Sequence, residues 1–370
     1  PVDDDEWGVL QQLCARKNIN SVGKLHNCYL ATDVLALCDV LVNFRASFKT
    51  VLKLDPLGFL TLPKCAWHGA LYRSKARIEL VTADQEQLYD DIEHGLMGGL
   101  CCPFQPYAKA NDPRLPGFNP AVQPSIISNF DATNLYGAQL CRPLPEKNYR
   151  AVEATLEQVL AMASAYDPDD GTGYIVVYDY ECPQEMHDSC PFAPIVKGEI
   201  DGVTKLYPTL EAQEGYVSSL GLLVRYLRRG VRVTKIHRVW AYDQRAYLRE
   251  HFEYLGKVRA ESAEPAIKQA CKIAAVSVYG CTLENKRDRK SLALYFDPYK
   301  YEVDVAKNWR PGHRAWVHFM DADDNSIRSF VGYRERKIAK GTCLDTPRLV
   351  GWSVLMHAKC HMYDFDETIR

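Results

Sequence analysis

An aspartate that follows a short apolar run is the first residue whose surroundings suggest chemistry. Asp131 comes after the segment 125–130, which we expect to be a strand, and before LYGAQL, which has a helical pattern. A carboxylate held between a strand and a helix is a rigid ligand for Mg²⁺. Tyr136, at the start of the helix, could face the same cleft. Asp131 could instead cap the helix, and both interpretations are open.

Two lysines one helical turn apart form a second group. Lys268 and Lys272 lie one above the other on a predicted helix, with Val276 and Tyr279 on or close to the same face. Two neighbouring ammonium groups repel each other, and a bound polyphosphate would stabilise the pair. A solvated basic face is the alternative.

Three further groups are weaker. Tyr29 and Asp33 lie one helical turn apart and could together hold a metal-bound water. A weaker hypothesis, based on Asp33 alone, is a nuclease. The alternative is a polar helix face exposed to water. A basic run could track phosphates or face solvent: Arg225, Arg228, Arg229, Arg232, Lys235 and Arg238. A zinc-like set has no evident fourth ligand and is interpreted as structural: Cys182, His187 and Cys190.

The elements that must position these residues are mixed. The hydrophobic spacing predicts helices at 1–53, 84–93, 210–229, 244–259, 264–279 and 348–363. The first carries an apolar stripe from Leu30 to Phe44. Strands are predicted at 173–182 and 231–242, with short strand-like pieces to about 340 and a further strand after Gly98 and Gly99. Prolines make 108–124 a loop. This pattern predicts an α+β fold.

Composition narrows the class of protein. A net charge of −2 and 25% charged residues describe an ordinary folded chain. The 13 cysteines form no CxxC pair, which is typical of reduced thiols in an intracellular protein. We expect no apolar stretch to approach the ~20 residues of a membrane span, so no membrane partner is predicted. The start PVDDDEW is not a signal peptide.

Three segments carry a family resemblance. YLATDVLALCDVLVNFR (29–45) resembles the third exonuclease motif of family-B DNA polymerases of the protein-primed viral and mobile-element type, which includes Polinton-like elements. FDATNLYGAQLCRPLPE (130–146) is similar to their palm motif A, and AIKQACKIAAVSVYGCTLENKRDR (266–289) to their fingers motif B. Three more segments resemble other parts of the family sequence and occur in the family's order: GLMGGL (95–100), 205–239 and VGWSVLMHAKCHMYDF (350–365).

The resemblance implies an architecture. The fold would be a B-type polymerase palm and fingers with the C-terminal edge of a ribonuclease-H-like 3′–5′ exonuclease domain. Residues 1–95 would be that edge and 96–145 the first part of the palm with motif A. Residues 146–260 would be a palm insertion similar to the terminal-protein region, and 261–290 the fingers. Residues 291–370 would hold a second insertion and the palm helix before motif C.

The resemblance also implies roles for single residues. Asp131 and the Ala132 carbonyl would hold one side of a pair of Mg²⁺ or Mn²⁺ ions. Leu135 and Tyr136 would contact the incoming nucleotide, with the Tyr136 ring excluding a 2′-hydroxyl. The remaining roles are triphosphate binding by Lys268 and Lys272, packing on the nascent base pair by Tyr279, DNA contact by Gly98, Gly99 and Gly280, and proofreading by Tyr29 and Asp33.

The implied function is template-directed nucleotidyl transfer in the full-length protein. Its partners would be a DNA template-primer, dNTPs and, under protein priming, a terminal protein. The site of action would be the host nucleus or the place of viral or element replication. The alternative is a decayed, non-catalytic remnant that binds DNA.

This chain departs from the family pattern at several points. Val276 stands where motif B usually has asparagine, and Cys281 where it has lysine. Motif C is expected beyond Arg370 and the first two exonuclease motifs before Pro1, so the fragment alone should be inactive. Asp364 and Asp366 imitate motif C, but on a helix they would point about 200° apart.

Overall fold

The computed structural model describes residues 4–99, 107–187, 193–285, 290–295, 316–320, 327–335 and 346–369, with the single positions 299, 303 and 306. The chain forms two compact units. The first comprises Pro1–Lys75 and Glu250–Val278, and the second comprises Ala76–Arg249 and Tyr279–Arg370. The predicted domain boundaries are a finer division than these two units and stay predictions.

Helices and strands alternate irregularly along the chain. In the described ranges the helices are α1 Asp4–Arg16, α2 Val22–Leu52, α3 Leu62–Ser74, α4 Glu86–His94, α5 Leu135–Gln139, α6 Leu156–Ser164, α7 Leu220–Arg228, α8 Arg249–Glu261, α9 Pro265–Thr282 and α10 Arg348–Ile369. The strands are β1 Leu144–Val152, β2 Thr172–Glu181, β3 Ile195–Ile200, β4 Val203–Pro208, β5 Gln213–Ser219, β6 Arg232–Arg245, β7 Lys290–Tyr295, β8 Trp316–Met320 and β9 Ile327–Glu335.

The first unit is helical. The C-terminal end of α2 packs with α3, α8 and α9 around a small core that includes Phe48, Leu52, Leu255 and Ala274. Ser21 caps the start of α2, where its side chain accepts from the Lys24 amide. Burying these apolar side chains, at about 25 cal/mol per Å² of apolar surface, is the main contribution to this unit's stability.

The N-terminal two thirds of α2 differ from expectation. The apolar stripe predicted to form a packed face is exposed, with Leu30 at 51% and Leu37 at 66% of their accessible surface. Among the described residues α2 is also the one helix long and apolar enough to cross a membrane, which corrects the expectation that no segment approaches such a span. Length and composition alone are weak grounds for a membrane role, and this stretch contains Asp33 and Asp39.

The second unit is built on an antiparallel sheet in the order β1-β6-β2-β5. Helices α7 and α10 pack together, and both contact strands of the sheet. Between them lies a core of buried tyrosines that share hydroxyl hydrogen bonds, such as Tyr216 with Tyr226 at 3.1 Å. Trp352 of α10 is fully buried beside them. Helix α10 also contacts α5, which carries the candidate site described below.

Two smaller sheets complete the second unit. β3 and β4 form a hairpin whose turn residues, Asp201 and Gly202, have φ of 55° and 73°. Positive φ at both positions gives the turn twist that suits a two-residue hairpin, which favours Asp-Gly. The other sheet has the order β7-β9-β8 and is also antiparallel. Antiparallel sheets with helices confirm the predicted α+β class.

Most elements with a strong pattern are confirmed. Strands 173–182 and 231–242 correspond to β2 and β6, and the two helices before residue 280 to α8 and α9. Gly230 ends α7 with φ 96°, as a glycine just after a helix does.

Two predicted elements are wrong. The helix expected over 210–229 begins only at Leu220, because residues 213–219 pair with β2 as strand β5. The strand expected over 125–130 has no strand partner among the described residues, and Ile126 and Ile127 are exposed. Without a partner the backbone groups have no ladder to join. Cys190 and the strand predicted after Gly99 lie outside the described ranges.

Candidate functional site

The start of α5 has an unusual local structure that explains the motif around it. Asn134 adopts a left-handed conformation, with φ 51° and ψ 58°, and its side chain accepts from the Gly137 amide at 3.3 Å. A Cβ on Gly137 would lie 2.0 Å from Nδ2 of the Asn134 side chain, so a larger residue there would displace the capping side chain. Asparagine tolerates the left-handed region better than most residues. The N-cap is therefore Asn134, and the interpretation of Asp131 as the cap is wrong.

This cap fixes the direction of Tyr136. Its ring stacks on the ring of Tyr279, with 4.2 Å between centroids and 11° between planes. Burial, and to a lesser extent Tyr136, raises the pKa of the Tyr279 hydroxyl. Tyr136 keeps 36% of its surface exposed, so one side of the pair faces open space. The structure thus brings together one residue of each of two distant sequence motifs.

Asp131 lies on the surface next to the C-terminal part of α10. Asp131 and Ala132 are exposed, and the preceding Phe130 makes an edge-on contact with Phe365, at 5.7 Å between centroids. The predicted metal pair needs several carboxylates on one point. The described residues contain no group of three or more His, Cys, Asp or Glu side chains placed to hold a metal ion. Their donor set does not fit such a pair.

The aspartates that imitate motif C have structural partners. Both lie on α10, as predicted from the helical pattern. Asp364 accepts two hydrogen bonds from Arg225, at 2.9 and 2.6 Å. Asp366 accepts from Arg229 at 3.4 Å. Bidentate pairing with a guanidinium is a strong, directional contact. These carboxylates therefore join α10 to α7.

Ion pairs of the same kind involve most of the basic run. Four of its six cations pair with carboxylates of this chain: Arg225, Arg229, Arg232 and Arg238. Arg238 pairs with the buried Asp91, which also accepts from the Trp240 indole at 2.8 Å. These ion pairs give four of the six cations structural partners within the chain. Phosphate tracking by the run and a solvated basic face both stay predictions.

A pocket opens beside Tyr136. Its volume is about 160 Å³ and its lining is mostly apolar: Gly99, Leu135, Tyr136, Ala193, Ile195, Pro208, Leu355, Ala358, Lys359, Met362 and Tyr363. Lys359 is the one charged side chain in that lining, and it retains 5% of its accessible surface. Its amine makes no hydrogen bond to any residue in the described part of the chain. Burial lowers the pKa of Lys359 to about 8, against a smaller opposing effect of Cys360.

The other predicted site residues are all at or near the surface. Lys268 and Lys272 are exposed on α9 in the first unit, and Gly280 is exposed near the end of that helix. Tyr29 and Asp33 are exposed on α2. Gly98 is half-buried, Gly99 is exposed, and a Cβ on either would meet no atom within 4 Å. The expected convergence of Lys268 and Lys272 with Asp131 stays a prediction.

Lys359 is not among the site residues predicted from the sequence. It occupies the position after Ala358 in an apolar helical pattern, where a lysine would ordinarily extend into water. The signal that could have found it is the run WSVLMHAKCHMY itself, which places the lysine among apolar residues on every side of the helix.

Comparisons with known proteins give a partial likeness. No family model and no curated protein matches the chain. Among solved structures, an orthorhombic crystal form of phi29 DNA polymerase aligns with 83% of this chain and 47% of that chain, at 14% identity and a TM-score of 0.46. The complex of phi29 DNA polymerase with primer-template DNA and incoming nucleotide substrates aligns with 86% and 48%, at 13% identity and a TM-score of 0.47. This chain spans about half the length of the solved structures that it matches.

Proposed function

We propose that this chain is an internal part of a family-B DNA polymerase of the protein-primed viral and mobile-element type. It would contain the end of the exonuclease domain, the first part of the palm and the fingers. The full-length protein would carry out template-directed nucleotidyl transfer. The observation that carries the proposal is the stack of Tyr136 on Tyr279, because these residues belong to the two motifs assigned to the nucleotide site.

Helix α9 supplies a second support. Lys268, Lys272 and Tyr279 share one face of this continuous helix, because offsets of four, seven and eleven residues return to nearly the same direction. The two lysines would attract the phosphates of a nucleotide by charge.

The chain supplies only part of the metal site that the proposed reaction needs. In a complete site Asp131 and the Ala132 carbonyl would hold one side of a Mg²⁺ pair. The described residues do not complete that site. What this chain itself supplies is positioning: a capped α5 that holds Tyr136, and a cationic helix face.

Binding of DNA by the chain as it stands is the direct test. We expect a fluorescent primer-template to bind the 370-residue protein, and the double variant Lys268→Met and Lys272→Met to weaken binding at least tenfold. Lys257→Met, which removes an exposed cation on α8, is the matched control. Equal affinity of the double variant and the control would contradict the proposal.

Catalysis must be tested on a longer protein read from the gene past Arg370. A Y-x-D-T-D-S sequence there would support the polymerase, and a scrambled frame would support the decayed DNA-binding remnant. In the longer protein Asp131→Ala should abolish primer extension. Retained incorporation would remove Asp131 from its assigned role.

A further inference from the structure

The amine of Lys359 is a buried polar group that the proposed function does not use. The side chain is 95% buried by accessible surface, being 5% exposed, and its Nζ makes no hydrogen bond to the described residues. A lysine has three donors and no acceptor. Burying such a group without partners is unfavourable, so the position is suited to a ligand that brings acceptor oxygens.

The pocket restricts which ligand that is. Around the single cation the lining is apolar, with Leu135, Leu355 and Met362 among its members. One positive charge balances one negative charge, and an apolar lining disfavours the three or four charges of a nucleoside triphosphate. The ligand is therefore a monoanion with an apolar or flat body next to its charged group.

The position of the pocket identifies its source. Tyr136 and Leu135 of α5 form one wall, and Gly99 forms part of the rim. A phosphodiester carries one negative charge, and its sugar and base provide the apolar neighbour. The Gly99 backbone has no side chain to hinder a strand that passes over it, since a Cβ there would meet only open space. The four-carbon stem of lysine lets the amine turn toward such a strand.

We propose that the pocket beside Tyr136 binds one phosphodiester of a nucleic-acid strand, with Lys359 as the counter-charge and the apolar lining against the adjoining sugar. This inference rests on the proposed function and adds a DNA contact to the same face of the second unit. It assigns α10 a role in strand binding as well as in packing.

The test compares the affinity of a fluorescent single-stranded oligothymidylate for four proteins: the parent chain, Lys359→Met, the Lys268→Met and Lys272→Met double variant, and the Lys257→Met control. Lys359→Met should weaken binding about fivefold to tenfold. It should also make the slope of log association constant against log salt concentration less negative by about 0.7, the value for one phosphate contact to a single strand. A purely structural effect of the substitution would not change that slope. Lys257→Met should bind as the parent does.

Each other outcome overturns the inference in a distinguishable way. If Lys359→Met binds like the parent while the double variant is weakened, the pocket contact is wrong and the proposed function stands. If the parent binds no oligonucleotide, both are wrong. Inorganic phosphate and benzoate are used as competitors. If phosphate alone occupies the Lys359 pocket as tightly as the oligonucleotide does, or if benzoate does so, the pocket takes a free anion or an organic carboxylate and not a strand.

Discussion

The rings of Tyr136 and Tyr279 lie 4.2 Å apart between centroids and 11° from parallel. One ring comes from the five-residue helix α5 and the other from the end of α9. Neither helix could hold its tyrosine alone. Asn134 caps α5, and the end of α9 packs on α10. The stack therefore depends on the positions of α5, α9 and α10.

The tyrosine stack gives the first prediction. Tyr136→Val should lower the free energy of unfolding by about 1 kcal/mol, because aromatic pairs contribute roughly 0.5–1.5 kcal/mol beyond burial. Tyr136→Phe keeps the ring and should cost much less. Urea denaturation of both variants is the measurement, and equal losses would show that the hydroxyl and not the stack is responsible. In a longer, active protein Tyr136→Val should also lose discrimination between dNTP and rNTP.

The packing of α9 on α10 gives the second prediction. A Cβ on Gly351 would lie 2.5 Å from Thr282 Oγ1 and from a methyl carbon of Leu283. Gly351→Ala should therefore destabilise the protein by about 1–3 kcal/mol. Gly256→Ala is the matched control, because Gly256 is also in a helix and its Cβ would meet nothing within 4 Å. That control should be neutral or stabilising by up to about 1 kcal/mol, and a larger loss in it than in Gly351→Ala would contradict the packing argument.

The pair of Arg225 and Asp364 gives the third prediction. Arg225 is 8% exposed, and the Asp364 side chain is 39% exposed. Asp364→Asn leaves a buried guanidinium without its counter-charge. After allowance for the solvent around Asp364, we expect a loss of about 1–3 kcal/mol. Arg232→Met, which removes an exposed pair with Glu181, should cost under about 1 kcal/mol. Thermal denaturation compares the two, and a loss for Asp364→Asn no larger than that for Arg232→Met would contradict a stabilising role of the Arg225–Asp364 pair.

The buried His251 gives the fourth prediction, on acid stability. Burial lowers the pKa of His251 to about 4, and Arg73 acts in the same direction. The unfolded chain binds the proton near pH 6.5 and the folded chain only near pH 4. Stability from the neutral ring is therefore present above about pH 6.5 and is lost as the pH falls toward 4. His251→Leu should flatten the dependence of unfolding free energy on pH in that window. An unchanged slope would show that the pKa of the ring is the same in the folded and unfolded states.

Lys359 gives the fifth prediction, on how the free energy of unfolding changes at alkaline pH. Its pKa is lowered to about 8 by burial, so the folded state loses its proton before the unfolded state, whose pKa is near 10.4. The cost of burying the charge is fully present below about pH 8 and diminishes as the pH rises toward 10. Lys359→Met should therefore be more stable than the parent at pH 7, by up to about 3 kcal/mol, with a gap that narrows above pH 8. A constant gap would mean that the amine is solvated.

Local patterns determined a large part of this protein. The alternation and β-branched residues of β2 and β6, the apolar spacing of α8, α9 and α10, and the glycine that ends α7 all act through near neighbours, and each was predicted. The helical spacing also predicted that Asp364 and Asp366 diverge. These features depend on backbone geometry within a few residues, which the sequence states directly.

Partners distant in the chain decided the rest. Residues 213–219 become a strand because β2 offers an open edge, and 125–130 remain without one because no described strand lies beside them. The stripe of α2 has an apolar pattern but no covering element along most of its length within the first unit. Lys359 is buried, and Tyr136 meets Tyr279, only once α5, α9 and α10 are assembled. A one-dimensional pattern specifies which face of an element is apolar, whereas tertiary packing specifies what that face contacts.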